Sequence, residues 1–255
     1  MKIVDSHLHF DIINDGAIFD YMRQNLRAII IWSYCEPRPQ TFANLTAYFE
    51  CQEAFAKDCT AKGLPCYRLA GIHPRNIPTE EPVTQAKVDQ LLKSQLGKAR
   101  GIGEIGLEKG TDAEKEILAM QVDFAKRHGL KACIHTPRKN KIAMSDIALE
   151  IIEHSGIPKN DVIFDHLDSG ALVWTFVNMG YYAGITISPA KSKLEDVLVM
   201  LRESADKSGR IMLNSDFAAG SLDDYRLYVD SVNALPLEFE PAAGQTALNF
   251  FGIEL

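Results

Sequence analysis

Short β-rich runs recur eight times along the 255 residues, at Lys2–Leu8, Arg27–Ser33, Cys66–Ile72, Arg100–Gly106, Lys131–His135, Asp161–His166, Tyr181–Ile187 and Arg210–Asn214. Amphipathic stretches with helical spacing lie between them, for example Thr41–Ala61, Val83–Leu96, Ala113–Arg127, Lys141–His154, Ser192–Ala205 and Asp223–Ala234. Strands that alternate with helices run parallel and are joined by right-handed crossovers. Eight such units in roughly 250 residues match a (β/α)8, or TIM, barrel. The expectation is an α/β chain forming one barrel domain over residues 1–255. An open doubly wound sheet is the competing arrangement. It would normally carry a glycine-rich phosphate loop after the first strand, where this chain has His7-Leu8-His9.

Other local signals agree with a single unit. The stretch from Ile77 to Pro82 reads as a loop after the third strand rather than a linker, and no internal repeat or low-complexity tract is visible. Asp112 is the expected N-cap of the helix that follows strand four, and Gly129 its C-cap. His128 then sits in the last turn, where a cation suits the helix dipole and a structural role is expected.

A composition of 46% hydrophobic and 24% charged residues is that of a soluble globular protein. No apolar run approaches the ~18 residues of a membrane span. The N-terminus enters a strand at once, which leaves no room for a leader and predicts a cytoplasmic protein. Five scattered cysteines, an odd number, fit reduced thiols better than disulfides, and none reads as a nucleophile. A net charge of −7 disfavours broad nucleic-acid binding without excluding a local basic mouth.

In a barrel of this kind the chemistry gathers at the carboxyl ends of the strands. Five of the seven histidines fall there: His7 and His9 after strand one, His73 after strand three, His135 after strand five and His166 after strand six. Strand four carries Glu104 between Gly103 and Gly106, and strand eight is followed by Asp216. Alternate residues of a strand point the same way, so His7 and His9 project together as two ligands of one metal must. With His135 and His166 as nitrogen ligands and Glu104 and Asp216 as oxygen ligands, the set suffices for two divalent ions sharing a carboxylate. Zinc or manganese suits these donors, and magnesium is tolerated. The glycines beside Glu104 either allow close approach of backbone, metal or substrate, or ease a bend at the rim.

These residues, with Gly71-Ile72-His73-Pro74, Gly103-Glu104-Ile105-Gly106-Leu107, Ile134-His135-Thr136 and Ser215-Asp216, resemble the TatD-type metal-dependent hydrolases of the amidohydrolase superfamily. The resemblance runs from residue 3 to about 252 and includes a closing C-terminal helix with Asn249-Phe250-Phe251. It implies His7 and His9 on one metal, His135 and His166 on the other, and Glu104 bridging. Asp216 then stands at the first metal beside the attacking water. No carboxylated lysine is needed, because Glu104 fills the bridging position.

The chain departs from that pattern at substrate-facing positions. Arg75 stands where a second histidine is usual after Gly-Xaa-His-Pro, and Ala218 where a proline is usual. Around Phe164-Asp165-His166-Leu167-Asp168 the usual cysteine and aromatic residue are missing. A divergent branch is implied, in which nuclease activity is not inherited automatically.

The expected chemistry is hydrolysis of a phosphoester, ester or amide bond, with Asp216 as the proton acceptor and donor. General acid–base catalysis of this kind is worth about 10² to 10⁴-fold. Arg138 and Lys139 on the loop after strand five, Lys191 and Lys193 after strand seven, and Arg75 after His73 form a cationic collar. His73, Arg75, Arg138 and Lys191 are therefore candidate contacts to a small-molecule or nucleotide-like anionic substrate. Two other readings stand beside this one. A polymerase-and-histidinol-phosphatase type of phosphoesterase would need a histidine after the strand-eight aspartate, and Asp216-Phe217-Ala218 lacks it. A barrel that kept its metals and lost catalysis would act as a binding or scaffold protein.

Overall fold

The computed structural model describes residues 3–9, 16–218 and 220–255. Among them lie eight strands, each followed along the chain by at least one helix. Strands β1 (Ile3–Leu8), β2 (Leu26–Ile31) and β3 (Cys66–Arg68) alternate with helices α1 (Gly16–Asn25), α2 (Phe42–Ala61) and α3 (Gln85–Lys93). Then come β4 (Gly101–Gly106), α4 (Asp112–His128), β5 (Lys131–His135), α5 (Lys141–Ser155), β6 (Val162–Phe164) and α6 (Gly170–Met179). The chain ends with β7 (Tyr182–Thr186), α7 (Leu194–Glu203), β8 (Ile211–Asn214), α8 (Leu222–Asn233) and α9 (Gln245–Phe251). No helix among the described residues is long and apolar enough to cross a membrane.

All pairings are parallel, in two sheets ordered β1-β2-β3 and β4-β5-β6-β7-β8. Individual backbone bonds join the sheets at two seams. Between β3 and β4, Arg100 N–H donates to Arg68 O at 2.8 Å and Gly103 N–H to Ala70 O at 3.2 Å. Between β8 and β1, Asp216 N–H donates to His7 O and His9 N–H to Phe217 O, both at 2.9 Å. The ladder is continuous at neither seam. At the first, a side chain takes the place of ladder bonds: Ser33 Oγ accepts from Gly71 N–H at 2.8 Å and donates to Gly103 O at 2.6 Å.

The pleat sorts each strand between two apolar layers. Val4, Ala28, Ile30 and Trp32 face inward with Leu69, Cys133, Ile163 and Met212, while Ile3, Ile29 and Ile31 pack outward against the helices. Helix α9 closes the end opposite the strand carboxyl termini. Its Phe250 ring lies 4.6 Å from that of Tyr182 and under the ammonium of Lys131, at the first residues of β7 and β5.

Several boundaries differ from the sequence expectation. Lys2, expected to open β1, lies outside the described residues. β3 ends at Arg68 rather than Ile72, because the backbone beyond it bonds to β4 and to Ser33. The N-cap of α4 is Thr111, whose hydroxyl accepts from Glu114 N–H, and Asp112 is the first helical residue. Gly129 is the C-cap as expected, left-handed at φ 61°, and the His128 ring packs 4.3 Å from Phe124 in a structural role. The glycines around Glu104 serve neighbouring strands: a Cβ on Gly103 would lie 2.7 Å from Cys133 Cβ, and one on Gly106 2.5 Å from His135 O.

Candidate metal centre

Glu104 occupies the fourth position of β4 and is buried. Five imidazoles surround its carboxylate. His135 Nδ1 and His166 Nε2 lie 2.6 and 3.1 Å from Oε1, with His73 Nε2 at 3.9 Å. His7 and His9 place Nε2 at 3.5 and 3.8 Å from Oε2. A second carboxylate, Asp216, enters from beyond β8, with Oδ1 3.3 Å from His9 Nε2, 3.7 Å from His7 Nε2 and 4.0 Å from His166 Nε2. Bonds of about 2.0–2.2 Å to one zinc or similar ion leave neighbouring ligand atoms roughly 3–4 Å apart, the spacing of most of these pairs.

His166 and Asp216 are not the last residues of regular strands. β6 stops at Phe164 and β8 at Asn214, and both side chains are aimed by a left-handed backbone, φ 61° at His166 and 48° at Asp216. Such a conformation costs a non-glycine residue about 1 kcal/mol or more, so surrounding bonds must hold it. At His166, Asp165 Oδ1 accepts its N–H at 2.7 Å, and Lys141 donates to its carbonyl. Asp216 is fixed by the seam bond from its N–H to His7 O.

A hydrogen-bonded chain behind the cluster sets which ring nitrogen faces it. Asp165 Oδ2 lies 2.5 Å from His7 Nδ1, and Asn214 Nδ2 donates to Asp165 Oδ1 at 2.9 Å. Thr186 Oγ1 donates to Asn214 Oδ1 at 2.8 Å and lies 2.9 Å from His166 Nδ1. With the Nδ1 proton of His7 given to a carboxylate, its Nε2 lone pair faces the cluster. That Nε2 is buried and without a hydrogen-bond partner, and the ring is stacked on Trp32 at 3.9 Å and 8°. This donor set fits a divalent cation. Glu108, beyond β4, adds a carboxylate 3.1 Å from His135 Nε2, on a loop pinned by Glu114, which accepts the N–H groups of Glu108, Lys109 and Gly110.

The electrostatics follow from the crowding. Burial works against the charge on Glu104, but His135 and His7 hold its carboxyl well below the usual range. Asp216 is likewise held low against its burial by His166 and Lys191. Burial opposes a proton on His7, yet Glu104 and Asp165 outweigh it and push the pKa up to about 10. For His166 burial wins, helped by Lys191, and the pKa falls to about 4. Glu108 drops to about 2 through its bonds to His135 and Arg75.

All six candidate ligands therefore converge, but in groups that cut across the implied pairing. His7, His9 and Glu104 form one possible metal group, His7, His166 and Asp216 a second, and His73, Glu104 and His135 a third. His135 and His166 share no group, although both approach Glu104 Oε1. Of the candidate substrate contacts, Lys191 is turned inward, with Nζ 2.6 Å from Asp216 Oδ2 and 2.8 Å from His166 Nδ1. Arg75 pairs with Glu108 at 2.6 Å, and Arg138 is exposed at the mouth. The collar is thus partly neutralised by its own protein. The central cavity, about 270 Å³, adjoins a second of about 590 Å³, and both are lined by Arg138, His166 and Lys191.

Sequence reasoning gave no role to Asp165, although it precedes His166 directly. A signal for it lies in Gly184 of β7, where a Cβ would come within 1.9 Å of Asp165 Oδ1. Trp32, Thr186 and Asn214 carried no separate mark.

A family model described as TatD related DNase matches residues 4–226. An uncharacterised metal-dependent hydrolase of Methanocaldococcus jannaschii is 24% identical over 229 residues, 88% of each chain. A TatD-like protein of Archaeoglobus fulgidus is similar in structure with a TM-score of 0.81 and 28% identity, covering 98% of this chain and 100% of that one. The phosphotriesterase homology protein of Escherichia coli, solved with phosphate in its active site, shares the fold at a TM-score of 0.74 and 14% identity, with 98% of each chain covered.

Proposed function

The chain belongs to the TatD-related DNase family and is a metal-dependent hydrolase, and from that premise we propose that it cleaves a phosphoester, ester or amide bond of a small anionic substrate at a dinuclear centre. The observation that carries this reading is the convergence of imidazoles on Glu104, with His7 Nε2 buried and unpartnered beside it. His7, His9, His135, His166, Glu104 and Asp216 would hold two divalent ions, zinc, manganese or magnesium. Such ions supply a Lewis acid and acidify water to a pKa near 7.

The chain's own groups do the rest. Asp216 accepts the proton of the attacking water at Oδ1 and returns it to the leaving group, while Lys191 holds Oδ2 in place. Arg138 at the mouth, with Arg75 and His73 lining the same cavity, receives the negative charge of the substrate. The five cysteines, in their thiol form, support action in a reducing, cytoplasmic setting.

The test is elemental analysis of protein purified without chelator, followed by a screen of metal-reconstituted protein against phosphodiesters, phosphomonoesters, lactones and amides. Metal near two per chain with turnover on one class is expected. Less than one metal per chain, or turnover that survives Asp216→Asn, would sink the reading. The description of the matching family favours a second reading, exonucleolytic cleavage of DNA, and a DNA substrate in the same screen decides it.

A further inference from the structure

The third group of possible ligands, His73 with Glu104 and His135, differs from the other two in one respect. His73 caps the short 3-10 turn Pro74–Asn76 with its own ring: Nδ1 accepts the N–H of Arg75 at 3.0 Å. The turn is rigid, because Asn76 N–H donates to His73 O at 2.7 Å and the Asn76 amide bonds both N–H and C=O of Cys35. A ring whose Nδ1 lone pair is occupied by a backbone N–H carries its proton on Nε2. A protonated nitrogen has no lone pair to give a cation.

His7 is oriented the other way, with Nδ1 toward the Asp165 carboxylate and Nε2 toward the cluster. Buried His73 turns a donor into the cavity that the candidate ligands His9, Glu104, His135, His166 and Asp216 also line. Its nearest carboxylate oxygen in the cluster, Glu104 Oε1, is 3.9 Å away, too far for a hydrogen bond. Contacts with the Tyr34 and His135 rings, 5.0 and 4.7 Å between centroids, hold the imidazole in this direction.

We infer that His73 is not a ligand of a third metal but a neutral hydrogen-bond donor that receives an acceptor oxygen of the substrate's scissile group. The inference rests on the metal-centre reading above, in which His9, Glu104, His135, His166 and Asp216 would hold the ions that polarise such an oxygen. The oxygen belongs to a phosphoryl or an acyl group, both of which present an unprotonated acceptor that gains negative charge during hydrolysis.

Two measurements test it on the metal-loaded protein. Nitrogen-15 NMR of the histidine side chains should find His73 protonated on Nε2 before and after metal titration. Calorimetry with inorganic phosphate, and in parallel with acetate, should find about tenfold weaker binding of the recognised anion in His73→Asn, the worth of one hydrogen bond to a charged group. Asn keeps the acceptor for Arg75 but has no atom at Nε2. His73→Gln, which places an amide N–H near Nε2, should recover most of the affinity, with metal content unchanged in both variants. Loss with phosphate assigns a phosphoryl oxygen, and loss with acetate an acyl oxygen. Direct metal coordination by His73, loss of a metal equivalent in His73→Asn, or equal binding by wild type and His73→Asn in a protein that holds its ions would overturn the inference and leave the metal centre standing. A wild-type protein that binds neither metal nor anion would overturn both.

Discussion

Asp165 Oδ2 sits 2.5 Å from Nδ1 of His7, across 158 residues of sequence, with both side chains fully buried. A carboxylate behind a ligating imidazole fixes its tautomer and raises its basicity, and loss of such a partner costs about 10–100-fold in metal affinity. Asp165→Asn should weaken metal binding by that order in competition with a chelator. Gly184→Ala should act in the same direction, since the new methyl would displace the Asp165 carboxylate. Unchanged affinity in both would remove Asp165 from the site.

Asp216 is held ionised against its burial by His166 and Lys191. A proton acceptor must be ionised to work, so the acid limb of the pH profile reports its titration. Lys191→Met removes the ammonium beside Asp216 Oδ2 and should move the acid limb of kcat/KM to higher pH. A limb that stays in place would show that Asp216 is not the group titrating there.

With no metal bound, Glu104 and Asp165 outweigh burial and push His7 up to about 10 from an ordinary 6.5. The folded chain therefore binds this proton more tightly than the unfolded chain does. The stabilisation is complete below pH 6.5 and is lost as the pH rises through 10. Thermal melts of EDTA-stripped wild type and His7→Gln should converge across that window, and a constant gap would contradict the assignment.

Asp5 gathers four donors at the β1–β8 seam: Ser215 N–H at 3.0 Å, Ser215 Oγ at 2.6 Å, Tyr225 Oη at 2.8 Å and His7 N–H at 3.4 Å. Asp5→Ala leaves them buried without an acceptor. Orphaned polar groups of this kind make a loss of roughly 2–4 kcal/mol in chemical denaturation the expected result. Asn, which keeps one oxygen, should cost less.

The barrel was legible because its period is local: each strand and helix announces itself within a few residues, and the alternation then names the rim where His7, His9, Glu104 and His135 emerge. His166 and Asp216 were found by their position after strands, but the left-handed backbone that aims them depends on bonds from distant segments. Lys191 illustrates the limit. A lysine on a rim loop reads as a contact for an anionic substrate, and only the folded chain reveals that it faces Asp216. Asp165 stayed silent for the same reason, its partners His7 and Asn214 being remote in sequence.

The two seams also have a mechanical meaning. The ring consists of an arc of three strands and an arc of five, hinged where single bonds and the Ser33 hydroxyl replace a ladder. His7 and His9 ride on the small arc, and Glu104, His135, His166 and Asp216 on the large one or just beyond its strands. An ion held by residues of both arcs would act as a rivet, its binding energy becoming resistance of the ring to opening. The backbone amides of Ala70, Arg100, Gly103, His9 and Asp216, which bridge the seams, are then the ones whose hydrogen exchange slows most when metal is added.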